Sequence, residues 1–590
     1  MKVRNLRNTY FFDILILLTI YIIYFFLFLG SRHLSIPDEG RYPEIAREML
    51  TSGNWVTPTI NGVPFLDKPP LYYWLEATSM HFFGVNAWAI RLPQAIFGIL
   101  GCVSIYIFGR YFYSRFAGVL ASFILATNVL YFFEAHYANM DLIVANLLWI
   151  AFFLCLVSLK QSSTKSKRIL MYIAYFVSAL AFLTKGLIAI VFPCMTVFVW
   201  MLITNNWHRL KELYVPTGII LFALVVSPWL ILAQKQNPDF LYFFFYFQQF
   251  YRFVGQGFNN AIGPWFYFVI LLAVFLPFSM LLINRLPKGF KNIWQNRKSD
   301  YIGFLITLWC ILILIFFSIP SSKIVSYIMP IFAPLSLLMA LSFEKIIKTK
   351  DNLSTFKKMH LITSILFFIV AIAIVIFSQI QQSILDTQAP LVYIALVVIL
   401  ALALAYSFRL SLKNNIKQAI IFIVSVMMLL NVLGQIIIPF YDIRTSQPLV
   451  EKILNDSSPD TTFVYYNRAQ PKHFILEDEL KQKGYEEDLP ILLNKNIYIV
   501  YNWKTYKPEI DNWAREFHYG IKQYQDSHNG KWPEYLITYT QFDKLLKTND
   551  NMIIFMRENQ LSELQQKYPK IDFKIEATYR KNIVVSVIKK

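Results

Sequence analysis

The sequence is poor in charge. Of its 590 residues only 15% are Asp, Glu, Lys or Arg, while 56% are apolar; soluble globular chains carry roughly 25% charged and 45–50% apolar residues. That balance excludes an ordinary soluble protein. Cysteine is scarce too. The four cysteines (Cys102, Cys155, Cys194, Cys310) all fall inside long apolar runs, so the C-terminal stretch has to hold together in an oxidising compartment without disulfides. No cysteine spacing of the metal-binding kind occurs, and neither internal repeats nor low-complexity tracts are found.

What the chain has instead is apolar blocks long enough for membrane helices, which need about 20 residues to cross the hydrocarbon core. About thirteen can be read, near 11–30, 91–109, 116–134, 141–159, 169–184, 186–204, 215–234, 265–284, 302–319, 324–343, 360–379, 389–408 and 418–438. The net charge of +19 would suggest nucleic acid if its placement were ignored. Alternating the loops puts the basic clusters on one side: Arg110 and Arg115, Lys160 to Arg168, Arg209 and Lys211, Arg285 to Lys298, Lys345 to Lys358, and Arg409 to Lys417. Cytoplasmic loops carry such an excess, so the charge is an orientation signal and no nucleic-acid partner is expected. The N-terminus is placed inside, and everything after residue 439 outside. The first block is too long for the apolar core of a cleaved signal peptide and lacks a small-residue cleavage site, which makes it a signal anchor.

The expected architecture is a polytopic α-helical membrane protein. Residues 1–439 form its transmembrane part, with an outside loop at 31–90, and residues 440–590 a soluble outside domain. In that tail "TTFVYY", "NIYIVYN", "NMIIFM" and "NIVVSVI" read as strands, alternating with helical stretches such as "ENQLSELQQKY", so an α/β or α+β domain is expected. The loop 31–90 is structured as well. In "RYPEIAREMLTSG" the residues Tyr42, Ile45, Ala46, Met49 and Leu50 mark one helix face, closed by Ser52-Gly53. Pro69-Pro70 opens a second helix, with Leu71, Trp74, Leu75, Thr78 and Phe82 on one side before Gly84. Both are expected to lie in the membrane interface.

Six features then agree in side. Asp38-Glu39 opens the first interfacial helix, and Lys68 precedes the second. Asp141 begins a span, Lys185 is the lone charge between two spans, Arg252 sits in the aromatic loop 235–264, and "SSKIVSY" brings Lys323 and Tyr327 one turn apart. Ionisable groups set against apolar spans are costly and mark function. Acids and cations together at the outer ends describe a cavity that holds phosphate while handling a second charged or departing group. A transporter is the competing class, but its site is expected near the midplane between repeats.

Asp-Glu-x-Arg-Tyr (Asp38 to Tyr42), followed by Asp67-Lys68-Pro-Pro-Leu-x-Tyr-Trp, resembles the lipid A aminoarabinose transferases. These are bacterial inner-membrane glycosyltransferases of the GT-C type, related to the protein O-mannosyltransferases. The resemblance implies transfer of a sugar from undecaprenyl phosphate to a lipid A phosphate on the periplasmic side. It implies that Lys68 contacts the carrier phosphate with Arg252 and Tyr327 in support, that Asp38 and Asp141 line the sugar and acceptor site beside Tyr42, and that Lys185 contacts a phosphate. Glu39 is counted with the catalytic acids, and Arg41 and Lys323 with the substrate-binding cations. Two positions depart from the family's pattern: Gly40 stands where Ser or Thr is expected, and Asp67 where Glu is expected. The 235–264 loop has no histidine, and neither a metal nor another cofactor is expected. A phosphate acceptor is already ionised and needs no base. A Ser or Thr hydroxyl on a protein acceptor would need an Asp to take its proton.

Overall fold

The computed structural model describes residues 2–251, 262–279, 291–350, 405–437, 445–454, 457–466, 487–503 and 513–589, with scattered positions between 354 and 403. The helices of the apolar blocks are α1 (Lys2–Phe26), α4 (Ala87–Phe112), α5 (Arg115–Ala126), α6 (Val129–Glu134), α7 (Asp141–Lys160), α8 (Thr164–Lys185), α9 (Ile188–Thr204), α10 (Val215–Gln236), α11 (Phe266–Val274), α12 (Tyr301–Ser318), α13 (Phe332–Thr349) and α14 (Ile416–Ile437). The outside loop supplies α2 (Asp38–Ser52) and α3 (Leu71–Phe83). Among the described residues, eight helical stretches are long and apolar enough to cross a membrane, and α5 and α9 are shorter apolar helices.

Three sets of expected spans need comment. The block at 116–134 is two helices, α5 and α6, because Thr127 and Asn128 break it and Asn128 caps α6 by accepting from Tyr131 N. The block at 324–343 begins with a 3-10 stretch, Val325–Ile331, before α13. Most of the blocks at 360–379 and 389–408, and the end of 265–284, lie outside the described residues.

The bundle is built around α4 and α7, whose apolar windows are 72% and 83% buried, while that of α10 is 17% buried and faces lipid. Small residues let α4 and α5 touch backbone to backbone. A Cβ on Gly118 would sit 2.5 Å from Tyr106 O, and one on Gly109 2.7 Å from Gly118 Cα. Membrane helices associate by such close approach, since lipid tails give them no hydrophobic drive. Gly118→Val is expected to force the pair apart and destabilise the fold by about 1–3 kcal/mol, seen as a lower melting temperature in detergent; an unchanged melting temperature would contradict this packing. At one end of these helices Asp13 of α1 accepts from Arg115 at 2.8 and 2.6 Å and from Tyr106 at 2.9 Å, tying α1, α4 and α5 together.

The C-terminal stretch forms a six-stranded sheet of order β5-β4-β3-β6-β8-β7: β3 Thr462–Tyr466, β4 Tyr498–Val500, β5 Leu536–Ile537, β6 Met552–Arg557, β7 Ile571–Tyr579, β8 Asn582–Lys589. The first four strands are parallel, with Val464 beside Tyr498 and Thr462 beside Met552; β8 and β7 close the sheet antiparallel. The four apolar runs became β3, β4, β6 and β8. β7 was missed although Ile571, Phe573, Ile575, Ala577 and Tyr579 alternate with polar residues as a half-buried strand should; of these, Phe573 and Ala577 are buried. The short hairpin of β1 (Thr59–Ile60) and β2 (Val63–Pro64) in the outside loop meets this region. Asn61 Nδ2 donates to Ile497 O at 2.8 Å, and Ile497 N donates back at 2.9 Å.

α2 is buried on more than its apolar face. On α2, Ile45, Ala46 and Met49 are buried as predicted, but so are Glu44, Arg47 and Glu48. The C-terminal region covers that polar face, and Arg47 donates to Asn496 at 2.6 Å. On α3 the side marked by Leu71, Trp74, Leu75, Thr78 and Phe82 is the outward one. The helix's buried residues are Tyr72, Tyr73, Glu76, Ala77, Ser79 and Met80, while Phe82 and Phe83 are exposed. Of the two inward tyrosines Tyr72 has its hydroxyl satisfied, donating to Glu76 at 2.7 Å and accepting from Gln94 at 2.6 Å, whereas the buried Tyr73 hydroxyl has no hydrogen-bond partner among the described residues.

Candidate active site

Four elements meet at the end of the bundle where α2 lies: the start of α2, the turn before α3, the α7–α8 ends, and the segment 320–327. Asp38 opens α2, where the helix N-terminus favours a carboxylate. It accepts from Arg41 at 2.9 Å, and 28% of its side chain remains exposed. Burial raises its carboxyl above the usual range; Arg41 opposes that shift, Asp141 adds to it and Lys185 subtracts from it. The two aspartates therefore lie within electrostatic reach of each other, although they come from separate elements. Activity that needs ionised Asp38 is expected to fall off in acid at a higher pH than an ordinary aspartate would give. A pH–rate profile of Asp38→Asn lacking that limb would confirm the assignment, and an unchanged limb would contradict it.

Asp141 is held from two sides, by Lys185 at the end of α8 and by the Ser326 hydroxyl. The Lys185 ammonium also lies 4.7 Å from the centre of the Tyr327 ring. Segment 320–327 thus joins the site through Ser326 and Tyr327. Lys323 is buried and donates to Pro320 O. On the α3 side the Lys68 ammonium donates to Asp67 at 2.6 Å. Tyr42 connects the two halves: its ring is 5.8 and 6.0 Å from those of Tyr72 and Tyr73, and Arg41 lies 5.6 Å from it. Arg252 lies outside the described residues.

Glu39, counted with the catalytic acids, has a different setting. It is fully buried and accepts from Arg91 at 2.7 and 3.0 Å, from Ala138 N at 3.0 Å and from Ser35 N at 2.9 Å, with Arg32 at 2.7 Å. Burial alone would raise its carboxyl; Arg91 and Arg32 outweigh that and hold it down at about 2. Its oxygens are committed to the fold, tying α2 to α4 and to the loop before α7. Arg41, counted as a substrate-binding cation, is likewise engaged by carboxylates, Asp38 on one side and Glu487 at 3.2 Å on the other.

Three groups here were missed by sequence reasoning. Ser326 is hidden beside Tyr327 as one serine among several. Glu134, buried at the end of α6 with Oε2 lacking a hydrogen-bond partner among the described residues, sat inside what read as a continuous span. Glu487 comes from the far end of the chain, and no local pattern announces it. Among the described residues no three His, Cys, Asp or Glu side chains converge as metal ligands would.

Chemically, the site sets the partly exposed Asp38, paired with Arg41, near the Asp141–Lys185 pair, with Lys68 in the turn before α3. Such a site can hold an anion at Lys68 and Lys185 and a cation at Asp38 at the same time.

Comparison with known proteins bears on this geometry. The family model described as dolichyl-phosphate-mannose-protein mannosyltransferase matches residues 67–232. The undecaprenyl phosphate-alpha-4-amino-4-deoxy-L-arabinose arabinosyl transferase 2 of Pseudomonas fluorescens (strain Pf0-1) is 32% identical over 333 residues, 55% of this chain and 58% of that one. The corresponding transferase of Wigglesworthia glossinidia brevipalpis is 31% identical over 361 residues, 60% of this chain and 62% of that one. The matched stretches thus span less than two thirds of those relatives. ArnT from Cupriavidus metallidurans, solved bound to undecaprenyl phosphate, superposes with a TM-score of 0.76 over 97% of both chains at 21% identity; its apo form gives 0.75. The chain is therefore a multi-pass membrane protein with the GT-C fold of ArnT, and it is similar in sequence, over a little more than half its length, to the aminoarabinose transferases.

Proposed function

We propose that this protein is a glycosyltransferase that moves an amino sugar of the aminoarabinose kind from undecaprenyl phosphate to a phosphate of lipid A. It acts at the periplasmic face of the bacterial inner membrane, with residues 440–590 on that side. The observation that carries the reading is Asp38 set within electrostatic reach of the Asp141–Lys185 pair, with the Lys68–Asp67 pair in the turn before α3, on a fold whose solved relative is bound to undecaprenyl phosphate.

The reaction is an inverting displacement. An oxygen of the acceptor phosphate attacks the anomeric carbon, the bond from that carbon to the carrier's phosphate oxygen breaks, and the electron pair leaves with undecaprenyl phosphate. Lys68 stabilises the charge growing on that leaving group. Its ammonium has three N–H donors; Asp67 orients it, and a phosphate oxygen takes a remaining donor. Arg252 and Tyr327 support the same phosphate. The nucleophile is ionised at neutral pH, so no proton has to be removed. Asp38 then orients the donor by pairing with the sugar's ammonium, and the Lys185–Asp141–Ser326 cluster fixes the facing wall.

Asp38→Asn is expected to raise the KM for the donor about 10–100-fold, the worth of a hydrogen bond to a charged group, with a smaller change in kcat. A kcat loss of several orders of magnitude would instead mean that Asp38 removes a proton, and would move the acceptor to a protein hydroxyl. Wild-type kinetics would refute both.

A further inference from the structure

Gly40 and Glu487 explain each other. Within the first turn of α2, Gly40 faces the C-terminal region: a Cβ there would lie 2.8 Å from Glu487 C, 2.9 Å from Glu487 O and 2.8 Å from Asp488 N. All three are backbone atoms, which cannot swing away as a side-chain tip can. The corner is fixed from behind as well. Asp488 is fully buried and accepts from Ser446 N at 2.6 Å, Ser446 Oγ at 2.7 Å and Thr445 Oγ1 at 3.1 Å. The Leu489–Leu493 helix (its Leu489, Ile491 and Leu493 buried) follows at once. Seated this way, the corner delivers the Glu487 carboxylate to Arg41 Nε at 3.2 Å, with the two side chains only 10% and 12% exposed.

We infer that Glu487 is a positioning residue for transfer, acting on Asp38 through Arg41, and that Gly40 is the residue whose missing side chain admits it. The inference rests on the transferase reading above. Arg41 carries one positive charge and stands between two carboxylates. Bound to Asp38 alone, its long side chain could swing with that group or neutralise it outright. Anchored by Glu487, it presents one N–H to Asp38 at a fixed angle and shares its charge, leaving Asp38 able to accept a cationic group of the donor. Precision of that order matters, since a displacement of about 1 Å at a reacting centre costs about a hundredfold in rate. The C-terminal region is then part of the active site, supplying a group that the membrane helices lack.

The test uses the full-length protein in detergent, with undecaprenyl phosphate-linked 4-amino-4-deoxy-L-arabinose and purified lipid A. Glu487→Gln is expected to raise the KM for the donor by about 10-fold, less than Asp38→Asn does, with a smaller change in kcat. Glu487→Asp is expected to recover most of that loss, which a merely structural contact would not require. In an Asp38→Asn background, Glu487→Gln is expected to add no further loss, because coupled residues are not additive. Gly40→Ala keeps the carboxylate but displaces its backbone; it is expected to raise the donor KM in the same way, together with faster hydrogen exchange in 487–493. Glu487→Gln with a wild-type donor KM, or with an undiminished further loss in the Asp38→Asn background, would overturn the inference. So would Gly40→Ala with a wild-type donor KM. A wild-type protein that transfers no sugar would instead overturn the transferase reading.

Discussion

Glu39→Gln is expected to destabilise the folded protein by about 3–5 kcal/mol, the cost of removing one partner from a buried ion pair. The substitution keeps size and shape, so the loss is one of charge. Arg91 is 1% exposed and Arg32 is 3% exposed; with a neutral Gln both guanidiniums stay buried without a counter-charge. The same network predicts a pH dependence. The Glu39 carboxyl is held at about 2 in the folded chain, against an ordinary value of 4.5. Its stabilising contribution is therefore complete above the ordinary value and is lost as the pH falls toward about 2. Thermal melting in detergent from neutral pH downward should show this acid loss in the wild type. Glu39→Gln should melt low at neutral pH with a flattened acid limb. A variant that melts like the wild type, yet transfers no sugar, would put Glu39 back among the reacting groups.

The second large effect belongs to Lys68. Lys68→Ala is expected to lower transfer by about 100–1000-fold, the usual loss when one preorganised charge on developing negative charge is removed. It should do so mainly through kcat, since the leaving phosphate gains charge only as the glycosidic bond breaks. Lys68→Arg keeps the charge and should retain part of the rate, although a guanidinium is planar where the ammonium is compact. Asp67 loses its partner in Lys68→Ala, so melting curves should accompany the kinetics to separate rate from fold. Wild-type turnover in Lys68→Ala would remove the phosphate role assigned to the turn before α3.

Much of this molecule can be read in its sequence, and what cannot be read has a physical cause. Spans, their number aside, follow from apolar run length, because lipid leaves a helix no other way to satisfy its backbone. The strands of the C-terminal sheet that form continuous apolar runs were read; β7 was passed over because its alternation of apolar and polar residues makes no such run. Polar groups at span ends pointed to Asp38, Asp141, Lys185 and Tyr327, which the structure brings near one another. Adjacency misled at Asp38-Glu39. Two neighbours on a helix point in different directions, so one carboxylate faces the cavity and the other the Arg32–Arg91 pair, whose position depends on how α4 packs. On α3 periodicity found the apolar, outward side but not the buried one, where Tyr72 and Glu76 satisfy each other. Glu487 was out of reach because its contact spans most of the chain, and only Gly40, a departure from the pattern of similar proteins, hinted that something lies against α2.

The central claim is that sugar moves from undecaprenyl phosphate to a lipid A phosphate. The most direct test is mass spectrometry of lipid A from cells with the gene, without it, and with Lys68→Ala in its place. The account predicts a mass increment of one amino sugar per modified phosphate in the first strain, absent from the other two. Lipid A of identical mass in all three would contradict it and turn the search to envelope proteins as acceptors.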